Sequence, residues 1–275
     1  MKKWIYRLLI VIFSLTLVIS IGALAIHYIS LSIQNSRYRE LSQMMGQTTP
    51  RPTDDPTPDN TAAPTDPTEP PLVTVINPET GQEISLLPEF AQLYEMNPHI
   101  VGWIRIPGTD IDYPVMQTPQ DQDYYLKRNF DREHSAQGSI YAREECDVFA
   151  PSDNITLYGH RMRDGSMFGQ LDKYMDPEFC RENPYIYFDT LTGLHTYQIL
   201  SVFLTTSSVD EGFHYHLFVD ATDATEFDSF ITTCKGLSLY DTGVDAVWGD
   251  KLITLSTCEY SQVNGRLVIV AKRIG

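Results

Sequence analysis

The segment Leu252-Ile253-Thr254-Leu255-Ser256-Thr257-Cys258 alternates like a strand, with Leu252, Thr254, Ser256 and Cys258 on one face and Ile253, Leu255 and Thr257 on the other. Cys258 therefore ends a strand on its more polar face. A seven-residue connection, Glu259 to Gly265, leads to Arg266, which opens the run Leu267–Ala271. If the two strands pair antiparallel, Arg266 lies beside Cys258 at one edge. A thiol attacks as its thiolate, which a nearby cation favours, and an arginine keeps its charge. The bland alternative is a buried strand cysteine and a surface arginine. A second polar strand end, Asn154-Ile155-Thr156-Leu157-Tyr158-Gly159-His160, places a histidine where a general acid/base would stand.

The remaining candidates are weaker. His27 falls at the edge of an apolar run, His99 and His134 in turn-like contexts, and His195 in a hairpin. His214 and His216 flank Tyr215 in a loop, and two histidines alone do not make a metal site. Cys146, Cys180, Cys234 and Cys258 contain no CxxC pair, which argues against a structural zinc and a thioredoxin-type motif. Cys146 and Cys180 could pair as a disulfide or remain free. No metal and no cofactor is expected.

Elements must position these side chains. Short runs rich in Ile, Val, Tyr and Thr read as strands at Val101–Ile106, Ile111–Val115, Ser139–Tyr141, Ile155–Tyr158, Tyr185–Phe188, Thr196–Phe203, Leu252–Thr257 and Leu267–Ala271. Eight short strands with few helical interruptions predict a mainly β protein built on a closed or nearly closed barrel. Pro88–Met96 reads as a short helix with Phe90, Leu93 and Tyr94 on one face. Asp223 and Glu226 fit a capping box, and Phe227, Phe230, Ile231 and Cys234 follow at helical spacing, predicting a helix over Ala224–Lys235 with Cys234 in the core.

Ahead of this domain, Leu8–Ile26 contains no charge and follows Lys2, Lys3 and Arg7. It is long enough to span a bilayer, with the N-terminus cytoplasmic and the rest outside. Ala23-Leu24-Ala25 also fits a signal-peptide cleavage site, but the apolar run is long for one. The expected organisation is an anchor over residues 1–30, a juxtamembrane segment and Pro/Thr/Asp-rich linker over 31–71, and an extracytoplasmic catalytic domain over 72–275. The net charge is −16, all of it within 72–275, because the +4 of residues 1–45 cancels the −4 of residues 46–71. That balance excludes a general nucleic-acid binder.

Taken together, LITLSTCEY, GRLVIVAKRI, GWIRIPGTDIDYPVMQ and NITLYGHRMRDGSMFGQLDKY, with the helix at Ala224–Lys235, resemble the class B sortases from about Glu89 to Ile274. The resemblance implies an eight-stranded sortase-type β-barrel with N-terminal helices and an added helix before the strand carrying the cysteine. It also implies a membrane-anchored cysteine transpeptidase of Gram-positive bacteria. Such an enzyme cleaves a C-terminal sorting motif of a secreted surface protein and joins the new carboxyl end to an amine of a peptidoglycan precursor. The family's Cys, His and Arg map onto Cys258, His160 and Arg266. Arg266, with backbone N–H groups just after Cys258, would stabilise the oxyanion or hold the substrate. Tyr158, Ser256, Thr257 and Glu259 are candidates for the substrate groove. Within the family, a pilus-polymerising member would instead use a lysine amine. Outside it, a Cys-His peptidoglycan hydrolase usually places its cysteine at a helix N-terminus, before the histidine. A stalked receptor gives no reason for Cys258, His160 and Arg266 to close three strands.

Overall fold

The computed structural model describes residues 3–46, 71–118, 121–208, 211–258 and 264–275. The chain divides into two compact units, residues 1–40 and residues 41–275. The first is the body of helix α1 (Lys3–Gly46). This helix is long and apolar enough to cross a membrane, and none of its most apolar window is buried in protein. Leu15, Ile19 and Leu24 are all exposed.

The second unit begins with the last turn of α1. Leu41 is fully buried, and Ser42 donates to the Asp112 carboxylate, which also accepts the Trp103 indole N–H at 2.6 Å. A hairpin not expected from the sequence follows, strands β1 (Val73–Ile76) and β2 (Glu83–Leu86). Its loop is organised by Asn77, whose side-chain oxygen accepts from the backbone N–H of Glu79 and Thr80. Both strands have only four residues and are largely exposed, so they lack the apolar alternation that marks a strand. Helix α2 (Pro88–Met96) has the expected bounds and buries Phe90, Leu93 and Tyr94.

Eight of the described strands close a barrel: β3 (Ile100–Arg105), β4 (Asp112–Met116), β5 (Ile140–Ala142), β6 (Asn154–Tyr158), β7 (Tyr185–Thr190), β8 (Thr196–Thr206), β9 (Leu252–Cys258) and β10 (Gly265–Arg273). Each falls on one of the eight expected runs. Around the barrel the order is β10-β8-β7-β3-β4-β5-β6-β9. Closure removes every exposed sheet edge from the barrel. Two contacts are parallel, β4 with β5 and β6 with β9. A short helix, α3 (Pro177–Glu182), is capped by the Asp176 carboxylate.

Helix α4 (Ala224–Leu237) starts where the sequence places it, with the Asp223 side chain accepting the Glu226 N–H. Glu226 reaches back to Thr222 rather than to the capping residue. The helix runs two residues past the expected stop, through Gly236, where nothing crowds the chain. Phe227, Phe230, Ile231 and Cys234 pack with Leu252, Val268, Val270 and Phe203. A helix outside a closed barrel can meet only its outer face, so this face of β9 and β10 points outward. The alternate residues Ile253, Leu255, Leu267 and Ile269 are fully buried and fill the interior.

Candidate active site

β9 and β10 pair antiparallel with Arg266 directly opposite Cys258. The register follows from the face pattern, because a one-residue slip would turn Ile253, Leu255 and Ile269 out of the barrel. Cys258 and Arg266 share the outer face with Val268 and Val270, but lie beyond the apolar cluster under α4. The Arg266 Nη1 donates to the Cys258 Sγ at 3.6 Å and to the Gly265 carbonyl at 3.0 Å. Cys258 is only partly buried, whereas Cys146, Cys180 and Cys234 are buried, and all four are free thiols. Burial pushes the Cys146 thiol up to about 11 and raises those of Cys180 and Cys234. These three are chemically quiet packing residues.

His160 reaches the same face from the other side. β6 runs parallel to β9, and its last pair is Tyr158 with Ser256. Beyond that pair the Gly159 N–H donates to the Ser256 carbonyl at 3.2 Å, and the Thr257 hydroxyl donates to the Gly159 carbonyl at 2.8 Å. His160 thus lies two residues past the last β6 pair, as Cys258 does on β9. Gly159 is required there, since a Cβ would stand 2.5 Å from the Ile140 side chain and 2.7 Å from the Phe168 ring. The His160 Nε2 lies 2.8 Å from the Leu126 carbonyl. A carbonyl can only accept, so Nε2 carries a proton and Nδ1 is left for exchange.

The surrounding wall is aromatic and basic. Tyr158 packs against Tyr141, with ring centroids 5.4 Å apart, and is hydrogen-bonded by Arg143. Burial pushes the Tyr158 phenol up to about 12, so it stays protonated. Arg143 also pairs with Glu145 at 2.7 Å. The Tyr215 hydroxyl meets the Ser256 hydroxyl at 2.5 Å. His214 and His216 sit edge to face on either side of Tyr215, with centroids 5.8 Å apart. Burial, with Arg143 and His214 nearby, holds His216 below its usual value. Among the described residues no group of three or more His, Cys, Asp or Glu could hold a metal ion.

The strand register therefore places Cys258, Arg266, Tyr158 and Ser256 on one face, with His160 two residues past the end of β6. Thr257 points the other way and stitches β9 to the histidine segment. Ser256 and Thr257 are each only 2% exposed. Glu259, and the backbone just after Cys258, lie outside the described residues. Sequence reasoning missed Tyr215, Arg143 and the Leu126 carbonyl. Tyr215 is one aromatic in an irregular loop, and a backbone carbonyl carries no residue-type signal.

Residues 104–274 match the family model of the sortase domain. Sortase B of Staphylococcus aureus is 34% identical over 189 residues, spanning 68% of this chain and 75% of that protein. Sortase B of Listeria monocytogenes is 34% identical over 188 residues, 68% of this chain and 74% of its own. Among solved structures, a Staphylococcus aureus sortase B–substrate complex superposes with a TM-score of 0.70 at 27% identity, over 90% of this chain and 98% of that one. Bacillus anthracis sortase B in complex with AAEK1 gives 0.68 at 31% identity, over 90% and 99%. The closed barrel is that of the sortase B structures, and the chain belongs to the sortase family as a class B member.

Proposed function

We propose that Cys258, His160 and Arg266 carry out a two-step acyl transfer on the C-terminal sorting motif of a secreted protein. The observation that supports this is the pairing of β9 and β10, which sets the Arg266 guanidinium in a hydrogen bond to the Cys258 thiol, with His160 two residues past the end of β6, the strand beside β9. In the first step the Cys258 thiol passes its proton to His160, and the resulting thiolate attacks the carbonyl carbon before the scissile bond. The C–N bond breaks, and the departing amine takes a proton from His160, leaving a thioacyl-enzyme. In the second step an incoming amine attacks the thioester, His160 takes its proton, and the C–S bond breaks. With Nε2 engaged by the Leu126 carbonyl, Nδ1 is the nitrogen that gives and takes this proton. Arg266 stabilises charge on the sulfur and on the oxyanion, a role for which its planar fork is suited and a lysine is not. Tyr158 and Ser256 border the groove that receives the peptide, and Thr257 and Glu259 flank the nucleophile.

The acceptor is an amine of a peptidoglycan precursor. A sortase B solved in complex with triglycine, 34% identical to this chain over 68% of its length, presents the kind of α-amine this step requires. The −16 charge of the region after residue 71 favours a cationic acceptor over an anionic one. The apolar part of α1 anchors the protein, with Lys2, Lys3 and Arg7 on the cytoplasmic side and the linker holding the catalytic domain outside. The test is product analysis with an internally quenched peptide library and added triglycine. The parent is expected to yield peptide joined to the triglycine amine, and Cys258→Ala neither cleavage nor joined product. Cleavage without any joined product at high acceptor concentration would sink the transfer step.

A further inference from the structure

A polar network centred on a buried asparagine reaches the turn that carries the Leu126 carbonyl. Its centre is Asn97, only 1% exposed, in the turn between α2 and β3. The Asn97 amide N–H groups donate to the Tyr125 hydroxyl at 2.9 Å and to the Phe130 carbonyl at 2.6 Å. Its side-chain oxygen accepts from the His99 backbone N–H at 3.1 Å and from the Arg132 guanidinium at 3.2 and 2.9 Å. Arg132 continues to Glu79 in the β1–β2 loop at 2.6 Å. The His99 Nδ1 lies 3.1 Å from the Tyr125 hydroxyl. Arg132 takes φ of +65°, a backbone state that a bulky side chain rarely adopts and that only surrounding contacts can hold.

The network ends on one structural unit, the 3-10 turn Tyr124–Lys127. The same turn is pinned along its backbone. The Ser139 N–H donates to the Tyr125 carbonyl at 3.0 Å and the Ser135 N–H to the Lys127 carbonyl at 2.9 Å. Gly138, at φ of +60°, lies so close that a Cβ would stand 2.5 Å from the Leu126 oxygen. The Tyr125 side chain is held through its hydroxyl, the Tyr125 and Lys127 carbonyls are taken up, and the Leu126 carbonyl between them is aimed at His160.

We propose that Asn97, Arg132 and Tyr125 are positioning residues, which hold the Leu126 carbonyl against Nε2 of His160 and so keep that ring in the tautomer that leaves Nδ1 open. The inference rests on the proposed role of His160. It makes the β1–β2 hairpin, through Glu79, part of the apparatus that orients the ring. A network that merely stabilised the fold would change thermal stability and leave the ring's tautomer alone.

The experiment has two readouts on the full-length protein, compared across the parent, Tyr125→Phe, Arg132→Lys and Asn97→Ala. The first is the His160 tautomer, by nitrogen-15 NMR of the imidazole at about pH 8. The second is kcat and KM for the most rapidly cleaved member of a quenched peptide library. The parent ring is expected almost wholly as the Nε2–H form. Tyr125→Phe and Asn97→Ala are expected to populate the Nδ1–H form and to lower kcat about 10-fold, with KM within about twofold. Arg132→Lys, which keeps one donor but not the fork, is expected to fall between them and the parent. An unchanged tautomer together with kcat within about twofold of the parent in Tyr125→Phe would overturn the proposal, whether or not Asn97→Ala folds. The tautomer is read without turnover, so it tests the positioning separately from the catalytic role of His160, which full turnover by His160→Ala would remove.

Discussion

Each end of the barrel carries a histidine and an arginine, and the two ends differ in what surrounds them. At one end β6 and β9 finish and β10 begins, which sets Arg266 opposite Cys258 and His160 just past the end of β6. At the other end β10 finishes at Arg273, opposite Tyr197, and the β7–β8 turn supplies His195. There the pair lines a cavity of about 170 Å³ with Thr190, Thr192, Phe149 and Ile155, and with no thiol. His195 makes only a 3.5 Å approach to the Thr190 hydroxyl, and burial with the Arg273 charge pushes it down to about 4. His160 instead places one nitrogen against a backbone carbonyl, while Arg266 meets a sulfur. On the proposed mechanism, a histidine and an arginine make a reactive site only where the strand register supplies a nucleophile and a fixed acceptor chooses the tautomer.

The largest expected contrast between the ends comes from removing each histidine. His160→Ala should lower peptide turnover by a factor of about 10³ or more, as measured with a quenched peptide, since proton transfer to the leaving amine is lost. Turnover within a few-fold of the parent would mean that His160 is not the acid. A smaller but large loss, about 10²-fold, is expected for Arg266→Lys, which keeps the charge and loses the planar fork. Near-parental kcat/KM in that variant would make Arg266 a bystander like Arg273.

The smallest effect belongs to the far end. His195→Gln should leave turnover at neutral pH unchanged and alter only acid stability. The folded protein keeps His195 neutral down to about pH 4, whereas the unfolded chain protonates it near 6.5. The unfolded state therefore binds more protons in that window, and His195's share of stability, complete above pH 6.5, is lost as the pH falls towards 4. Thermal unfolding between pH 7 and 4.5 should show a smaller drop in Tm for His195→Gln than for the parent. Equal drops would contradict the buried neutral ring.

The same contrast marks what the sequence makes legible. The Cys258–Arg266 pairing was readable because only seven residues connect two strands of clear alternation. The eight barrel strands and α2 stood out through their β-branched, aromatic and helical patterns. The placement of His160 depends on β6 pairing parallel to β9, and the Thr257–Gly159 hydrogen bond that extends it joins residues 98 apart, so nothing local announces it. Only the matching Cys and Arg on other strand ends favoured that histidine over His195. The β1–β2 hairpin was hidden because its strands bury almost nothing, and α4 runs on through the exposed Gly236 and Leu237 to Ser238, whose hydroxyl accepts the Val202 N–H. Ser256 was read as a groove residue, and its hydroxyl is taken up by Tyr215, a contact made across a 41-residue separation.

The central claim is that Cys258, alone among four cysteines, takes up the acyl group. The direct measurement is mass spectrometric mapping of the parent protein, quenched in acid during turnover of a cleavable sorting peptide without an amine acceptor. The account predicts one acyl adduct, on the tryptic peptide containing Cys258, that disappears when triglycine is added. An adduct on Cys146, Cys180 or Cys234, or turnover with no adduct on Cys258 at any time point, would contradict it.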